Sequence, residues 1–323
     1  MTDDLNMSQS SHSPVVFITG CSSGFGLLTA ARLAAKGYTV VATMRDLKKE
    51  GNLTSEVNRR GGTVEVLQMD VTDKQSVTRA VDRIKMGHGR IDVLVNNAGY
   101  GIGGFFEDLT DEEIRAQMET NFFGVQNVTR AVIPLMRQCR RGKIINISSV
   151  AGFSTSPAFS AYNASKWALE AFTEGLRYEL QFFGIDVLLI EPGTYKTKIF
   201  YENAQYARHF DNPDSPYFVW SQHLRKKVMD YVNDCHKDPE EIGIMVEKLI
   251  RAKNPPFRSI PDIESQALSW LRRFLPFRLY SAMIRMFFMQ GFEGRDRSGP
   301  VPTDSNYTPM RSERNSAISA QVR

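Results

Sequence analysis

The chain has 323 residues, a formal net charge of +4, and a hydrophobic fraction of 42% against 24% charged. That is enough apolar material for one large α/β domain, and the charge is too small to argue for nucleic acid as a partner. Cys21, Cys139 and Cys235 stand far apart with no CxxC or Cys/His ligand spacing, so neither a disulfide framework nor a metal site is supported and a reducing compartment is expected.

Residues 1–13 carry acids and hydroxyls where a secretory leader needs a basic start and an apolar stretch, and they are expected to be disordered. No apolar run approaches the roughly 20 residues that span a bilayer. A cytoplasmic location follows as an expectation. From residue 14 the chain alternates short β-branched runs with helical patterns. Strands are predicted at 15–19, 39–43, 63–68, 91–95, 143–147 and 185–190, and helices at 25–36, 47–60, 74–86, 111–137 and 160–183. Several strand runs are almost wholly apolar, as strands covered on both faces must be. Strand–helix alternation of this kind means right-handed crossovers and a parallel, doubly wound α/β sheet with helices on both faces. Residues 14–261 form the expected catalytic domain.

The first strand leads into Thr19-Gly20-Cys21-Ser22-Ser23-Gly24-Phe25-Gly26 and then a helix. Glycines there permit a tight turn and a close backbone approach, and the helix N-terminus offers free N–H groups to a phosphate. The second strand ends Thr43-Met44-Arg45-Asp46. Met44 stands where an NAD enzyme places an acid for the ribose 2′-hydroxyl. Arg45 beside it can bind a 2′-phosphate by two hydrogen bonds, so NADP(H) is favoured; a solvated surface arginine is the plainer alternative. Asp46 is read as a cap of the next helix.

Tyr162 and Lys166 are four apart on a predicted helix and share a face. A nearby ammonium favours the phenolate, which prepares the tyrosine to exchange a proton. Ser149 ends the fifth strand thirteen residues earlier, placed to hydrogen-bond a developing alkoxide; Ser148 is the competing choice. Cys21 has no partner base and reads as a packing residue.

These motifs together resemble the short-chain dehydrogenases/reductases. TGCSSGFG is similar to that family's TGxxxGxG loop, Asn96-Asn97-Ala98-Gly99 to its NNAG motif, Tyr162–Lys166 to its YxxxK motif, and Pro192-Gly193 with Thr197 to its PGxxxT segment, in order over residues 14–200. The CSSGFG and VVATMRDL stretches and the C-terminal extension resemble its hydroxysteroid and retinol dehydrogenase branch. The resemblance implies a Rossmann-type fold, a nicotinamide cofactor and homo-oligomeric assembly. It implies cofactor contacts at Gly20, Ser22, Ser23, Gly24, Phe25, Gly26, Arg45, Asp70, Val71, Asn97, Ala98, Gly99, Tyr162, Lys166, Pro192, Gly193 and Thr197. It implies a catalytic set of Asn121, Ser149, Tyr162 and Lys166, with Asn121 holding a water chain to the lysine. Asp70 also reads as a strand-end or capping acid, and Asn121 as a buried polar helix residue. A non-catalytic NADP(H)-binding regulator of the same fold is the rival function.

Beyond Tyr195 the pattern loosens. Residues 195–235 are aromatic and aperiodic; with Phe153 and Phe159 they are expected to build an apolar pocket for a bulky carbonyl or alcohol substrate. A helix from about 239 to 252 follows. Residues 262–292 form an apolar, basic extension that Pro276 splits in two, with Arg272, Arg273, Arg278 and Arg285 and no acid after Glu264 until Glu293. The extension is expected first to cover the substrate mouth. A subunit contact and a peripheral membrane contact through 265–292 are the alternatives. Residues 293–323 are expected to be disordered.

Overall fold

A computed structural model describes residues 13–201 and 204–290. The expectations for residues 1–12 and 293–323 therefore lie outside the described residues. Within them, seven parallel strands form one sheet in the order β3-β2-β1-β4-β6-β7-β9. These are β1 (Val15–Ile18), β2 (Thr39–Met44), β3 (Glu65–Gln68), β4 (Val93–Asn96), β6 (Gly142–Ile147), β7 (Ile185–Ile190) and β9 (Arg258–Ser259). A second pair joins β5 (Ile102–Gly103) to β8 (Gln205–Tyr206). The order reverses between β1 and β4, and a ligand crevice forms beyond the carboxyl ends of strands at such a switch point.

The strands are buried on both faces, so alternate residues feed two cores. Val16 and Ile18 of β1 join Leu33 of α1 (Gly24–Ala35) and Val246 of α8 (Glu240–Arg251). Phe17 and Val41 join Ile84 of α3 (Lys74–His88), Val128 of α5 (Gly124–Cys139) and Leu176 of α6 (Ser160–Leu180). Period-two alternation along a doubly covered strand is what makes its sequence read as a continuous apolar run.

Two predicted elements differ in form, and one helix lies where none was predicted. The helix expected at 47–60 opens with a 3-10 turn, Leu47–Lys49, capped by Asp46 accepting from Lys48 N at 3.0 Å, before α2 (Glu50–Arg59). The helix expected at 111–137 is α4 (Asp111–Met118), a π turn (Glu119–Phe123) and α5. The extra residue of the π turn accompanies three hydrogen bonds that hold Asn121 inward, as described below. In the aperiodic segment lies α7 (Phe218–Asn233). Its buried stripe is thin, Ser221, Leu224 and Val232, and the aromatic residues around it hide the period. Beyond β9, Pro276 separates α9 (Ile263–Phe274) from α10 (Phe277–Met289), as predicted.

Candidate active site

The turn after β1 is built against the loop after β4. Thr19 Oγ1 accepts from the N–H groups of Asn97 and Ala98, both at 3.0 Å. Asn97 Nδ2 donates back to Thr19 O at 2.9 Å and Gly20 O at 3.0 Å. Gly20 has φ +72°, and a Cβ there would lie 2.7 Å from Ala98 Cα. At Gly26 a Cβ would lie 2.5 Å from Gly20 O and against Asn97 Nδ2. Ser22, Ser23 and Gly24 follow along the turn into α1, with Ser23 at its N-cap. The result is a cradle with no side chain along its floor, aimed by a helix N-terminus. It fits a pyrophosphate. Phe25 packs edge-on against Tyr195, ring centroids 5.4 Å apart, and borders the cavity described below. Cys21 is buried, donates to Ile18 O at 3.4 Å, and its thiol is pushed up to about 12 by burial; it is a packing residue and no nucleophile.

Across β2 and β3, Met44 is buried and Arg45 exposed. Burial and the charge of Glu113 raise the Tyr100 phenol, and the Arg45 charge opposes them. Asp70 Oδ1 accepts from Thr72 N at 2.9 Å and Thr72 Oγ1 at 2.8 Å, which uses one carboxylate oxygen in a local turn. Val71 beside it is buried against Gly124. A Cβ on Gly99 would lie 3.1 Å from Asn121 Oδ1.

The expected catalytic residues converge between β6 and α6. Ser149 leaves β6 extended, its Oγ accepting from Ala151 N at 3.1 Å, and its hydroxyl lies close enough to the Tyr162 phenol to favour the ionised form. Ser148 Oγ is buried with no partner among the described residues, so Ser149 is the serine that meets the tyrosine. Lys166 Nζ donates to Ile147 O at 3.0 Å and lies 5.9 Å from the Tyr162 ring centroid. Burial lowers the Lys166 ammonium to about 8, against the opposing charge of Glu170. Tyr162 departs from expectation. Burial raises its phenol above the ordinary value, and the neighbouring Ser149 hydroxyl opposes this. Asn121 Oδ1 accepts from Tyr100 N at 3.1 Å, and its Nδ2 donates to Tyr100 O at 2.9 Å and Ser165 Oγ at 3.0 Å. Its side-chain amide is thus committed to protein atoms one helix residue from Lys166.

The loop after β7 carries Pro192, Gly193 and Thr197. Pro192 O accepts from Val150 N at 3.0 Å, fixing it to the serine turn. Gly193 N donates to Asp262 Oδ2 at 3.3 Å, and Asp262 Oδ1 caps α9 through Ser265 N at 3.0 Å and pairs with Lys237 at 2.8 Å. Beneath lies a cluster the sequence reading missed. Arg258 Nη1 bonds Glu170 Oε2 and, at 2.8 Å, Glu191 Oε1, while Glu170 Oε1 and Glu191 Oε2 are buried without hydrogen-bond partners among the described residues. Arg258 carries no motif spacing because it lies more than sixty residues from each acid it touches, and Asp262 lies as far from Gly193.

A cavity of about 510 Å³ opens over Ser149 and Tyr162. Of the expected aromatics, Phe159, Tyr195 and Phe200 line it, and Tyr206 and Phe210 line a smaller neighbour that also reaches Tyr162. Tyr217 instead stacks on Phe105 at 4.5 Å, and Tyr201 is exposed. The rest of the wall comes from α7, α9 and α10. Arg272 Nε donates to Phe153 O at 3.2 Å and the Tyr280 and Ser154 hydroxyls share a hydrogen bond, so the extension is fastened beside the catalytic serine.

A family model described as short chain dehydrogenase matches residues 14–207. The chain is 40% identical over 283 residues, 85% of its length and 97% of the relative's, to a 3-ketodihydrosphingosine reductase of Bacteroides thetaiotaomicron. It is 35% identical over 267 residues to human retinol dehydrogenase 8, covering 80% of this chain and 84% of that one. Among solved structures it is similar to an actinorhodin polyketide ketoreductase with NADPH, with TM-score 0.66 and 28% identity over 77% of this chain and 95% of the other. The glycine cradle, the Ser149–Tyr162–Lys166 cluster and these likenesses agree, and the chain belongs to the short-chain dehydrogenase/reductase family, on its hydroxysteroid and retinol dehydrogenase-like branch.

Proposed function

We propose that this chain is a cytoplasmic, NADPH-preferring reductase of a ketone or aldehyde on a long or polycyclic apolar molecule. The observation that carries the substrate class is the cavity over Ser149 and Tyr162, whose walls are apolar helix faces from α7, α9 and α10. Relatives named for a long-chain sphingoid ketone and for retinol support the same class. Exposed Arg45 beside buried Met44 supports the 2′-phosphate preference.

The glycine cradle, Asn97 to Gly99 and the Pro192–Thr197 loop would hold the nicotinamide cofactor, which when bound would supply the hydride. Tyr162 gives its proton to the carbonyl oxygen, and its raised pKa keeps the phenol in the donating form near neutrality. The Ser149 hydroxyl hydrogen-bonds the same oxygen as charge gathers on it. The Lys166 ammonium stabilises the phenolate that remains, and Asn121 fixes the backbone at Tyr100 beside it. In the reverse direction Tyr162 takes the proton back from the alcohol.

A regulator that only binds NADP(H) has no use for a serine, tyrosine and lysine brought together under a substrate-sized cavity, which disfavours the rival function. Homo-oligomeric assembly belongs to the proposal too; exposed Trp167 and Tyr178 on α6 offer apolar surface for it. The test is consumption of NADPH and of NADH with long-chain 3-keto lipids, retinal, ketosteroids and short water-soluble ketones. Turnover of the apolar ketones with NADPH is expected. Turnover of none of them, or preference for NADH, overturns it.

A further inference from the structure

The α9–α10 pair has two unlike faces. Inward, Leu268 and Leu271 of α9 and Met283, Ile284 and Phe287 of α10 line the cavity over the catalytic residues. Outward, Ile263, Trp270, Phe274, Phe277, Leu279 and Met286 are each between 58% and 82% exposed. Trp270 and Phe274 stack with centroids 5.0 Å apart, one turn from each other on the same stripe. Leu271 and Phe287 belong to both faces, lining the cavity while 38% and 43% exposed. The cavity mouth therefore opens at the edge of this apolar surface.

Contiguous apolar exposure on this scale marks an interaction site. Its charge narrows the partner. Arg273, Arg278 and Arg285 are exposed among the apolar residues, and residues 265–290 contain no carboxylate side chain. A second copy docking by two-fold symmetry would bring this face onto itself, the arginines of one copy against those of the other, with Glu264, already paired with Lys237, the sole acid at its edge among the described residues. An anionic lipid surface meets both requirements, taking the aromatic stripe at headgroup depth and the guanidinium groups at its phosphates. Among the described residues no helix is long and apolar enough to cross a membrane, so the contact is one of lying on the surface.

We infer that the outer face of α9–α10 docks on an anionic lipid surface, and that the cavity takes its apolar substrate from that surface through the mouth at Leu271 and Phe287. The second half rests on the function proposed above; the first does not. The fastening of both helices to Gly193, Phe153 and Ser154 makes the docked face a fixed wall of the active site.

Flotation of the full-length protein with vesicles of phosphatidylcholine alone, and of phosphatidylcholine mixed equally with phosphatidylglycerol, tests the docking. Binding to the anionic vesicles, weakened by salt, is expected. Trp270→Ser with Phe274→Ser should reduce partitioning by about a hundredfold. Reversing Arg273, Arg278 and Arg285 to Glu should abolish the preference for anionic vesicles. None of these residues touches the cavity, so turnover of a water-soluble ketone should be unchanged, while turnover of a vesicle-borne long-chain ketone falls with partitioning. Absence of vesicle binding by the wild type overturns the proposal. So does self-association that Trp270→Ser with Phe274→Ser dissolves while leaving flotation unaltered. If no ketone is turned over but flotation behaves as stated, the proposed function fails and the docking stands.

Discussion

The main-chain N–H of Gly193 donates to Asp262 Oδ2 at 3.3 Å, and this bond joins the loop after β7 to α9, which roofs the cavity over Ser149 and Tyr162. The same carboxylate caps α9 through Ser265 N and pairs with Lys237, both groups being largely buried. Cofactor loop and substrate lid thus share an anchor, so disturbance of one reaches the other.

Asp262→Ala should therefore cost about 3 kcal/mol of stability, from a lost helix cap and a stranded Lys237. It should also raise KM for both cofactor and apolar substrate. Asp262→Asn keeps one acceptor oxygen, enough for Gly193 N or Ser265 N but not both, and should lose less on both counts than Asp262→Ala. Chemical denaturation with steady-state kinetics reads the two effects; an Asn variant as damaged as the Ala variant would show that the Lys237 charge, and not the loop bond, is what matters.

Arg45→Asp should weaken NADPH binding by about 2–4 kcal/mol, since it removes a guanidinium and puts a repelling carboxylate in its place. NADH binding should change little. Fluorescence titration of the two cofactors measures both, and equal affinity of the wild type for NADH and NADPH would defeat the assignment.

Gly26→Ala places a methyl group against Gly20 O and Asn97 Nδ2, so the cradle must shift and cofactor affinity should fall by about tenfold or more. Gly87 in α3 has nothing within 4 Å of where its Cβ would lie. Gly87→Ala should instead gain about 0.5–1 kcal/mol of stability with cofactor affinity intact. Isothermal titration with thermal unfolding separates the pair.

Much of this was legible in the sequence because it is local. TGCSSGFG, NNAG and Tyr162–Lys166 each sit within one turn or helix, where spacing alone sets geometry, and apolar runs such as Ile185–Ile190 mark the doubly covered strands. The two-residue strand β9 is shorter than any period can show. α7 was hidden because Ser221 occupies its buried stripe while Trp220 and Tyr231 lie off it. The cluster of Glu170 and Glu191 around Arg258 was hidden for a different reason: neither acid has a motif, and only the fold brings them to Arg258.

Tyr162→Phe should leave cofactor binding and fold intact while turnover drops by about 10²–10⁴-fold, the usual cost of losing general acid catalysis. Lys166→Met should depress turnover and also weaken cofactor binding. In the wild type, reduction should decline as pH rises through about 8, where the buried Lys166 loses the proton that steadies the phenolate. A Tyr162→Phe enzyme of near-normal rate would sink the mechanism.

Glu191 is the source of a second pH dependence. Burial, then the charge of Glu170, hold its carboxyl above the usual carboxylate range, with Arg258 opposing both. Arg258 also meets Glu174 Oε2 at 3.4 Å near the surface, so its single charge is divided among three acids. A folded-state pKa raised above the unfolded value means the folded chain holds the extra proton. The resulting stability is complete below the ordinary carboxylate pKa and is lost as pH rises through the raised one. Thermal unfolding should therefore show stability declining from mildly acid pH towards neutrality. Glu191→Gln carries the neutral form at every pH and should flatten that decline. Glu170→Gln should act differently: with its repelling neighbour gone, Glu191 titrates lower and the decline moves to more acid pH. Glu170 also supports the Lys166 charge one helical turn away, so the same variant should move the alkaline fall in activity below about 8. Parallel unfolding and rate profiles across pH decide it. If Glu170→Gln shifts neither, the Glu170 charge acts on neither group and the cluster is a passive strut.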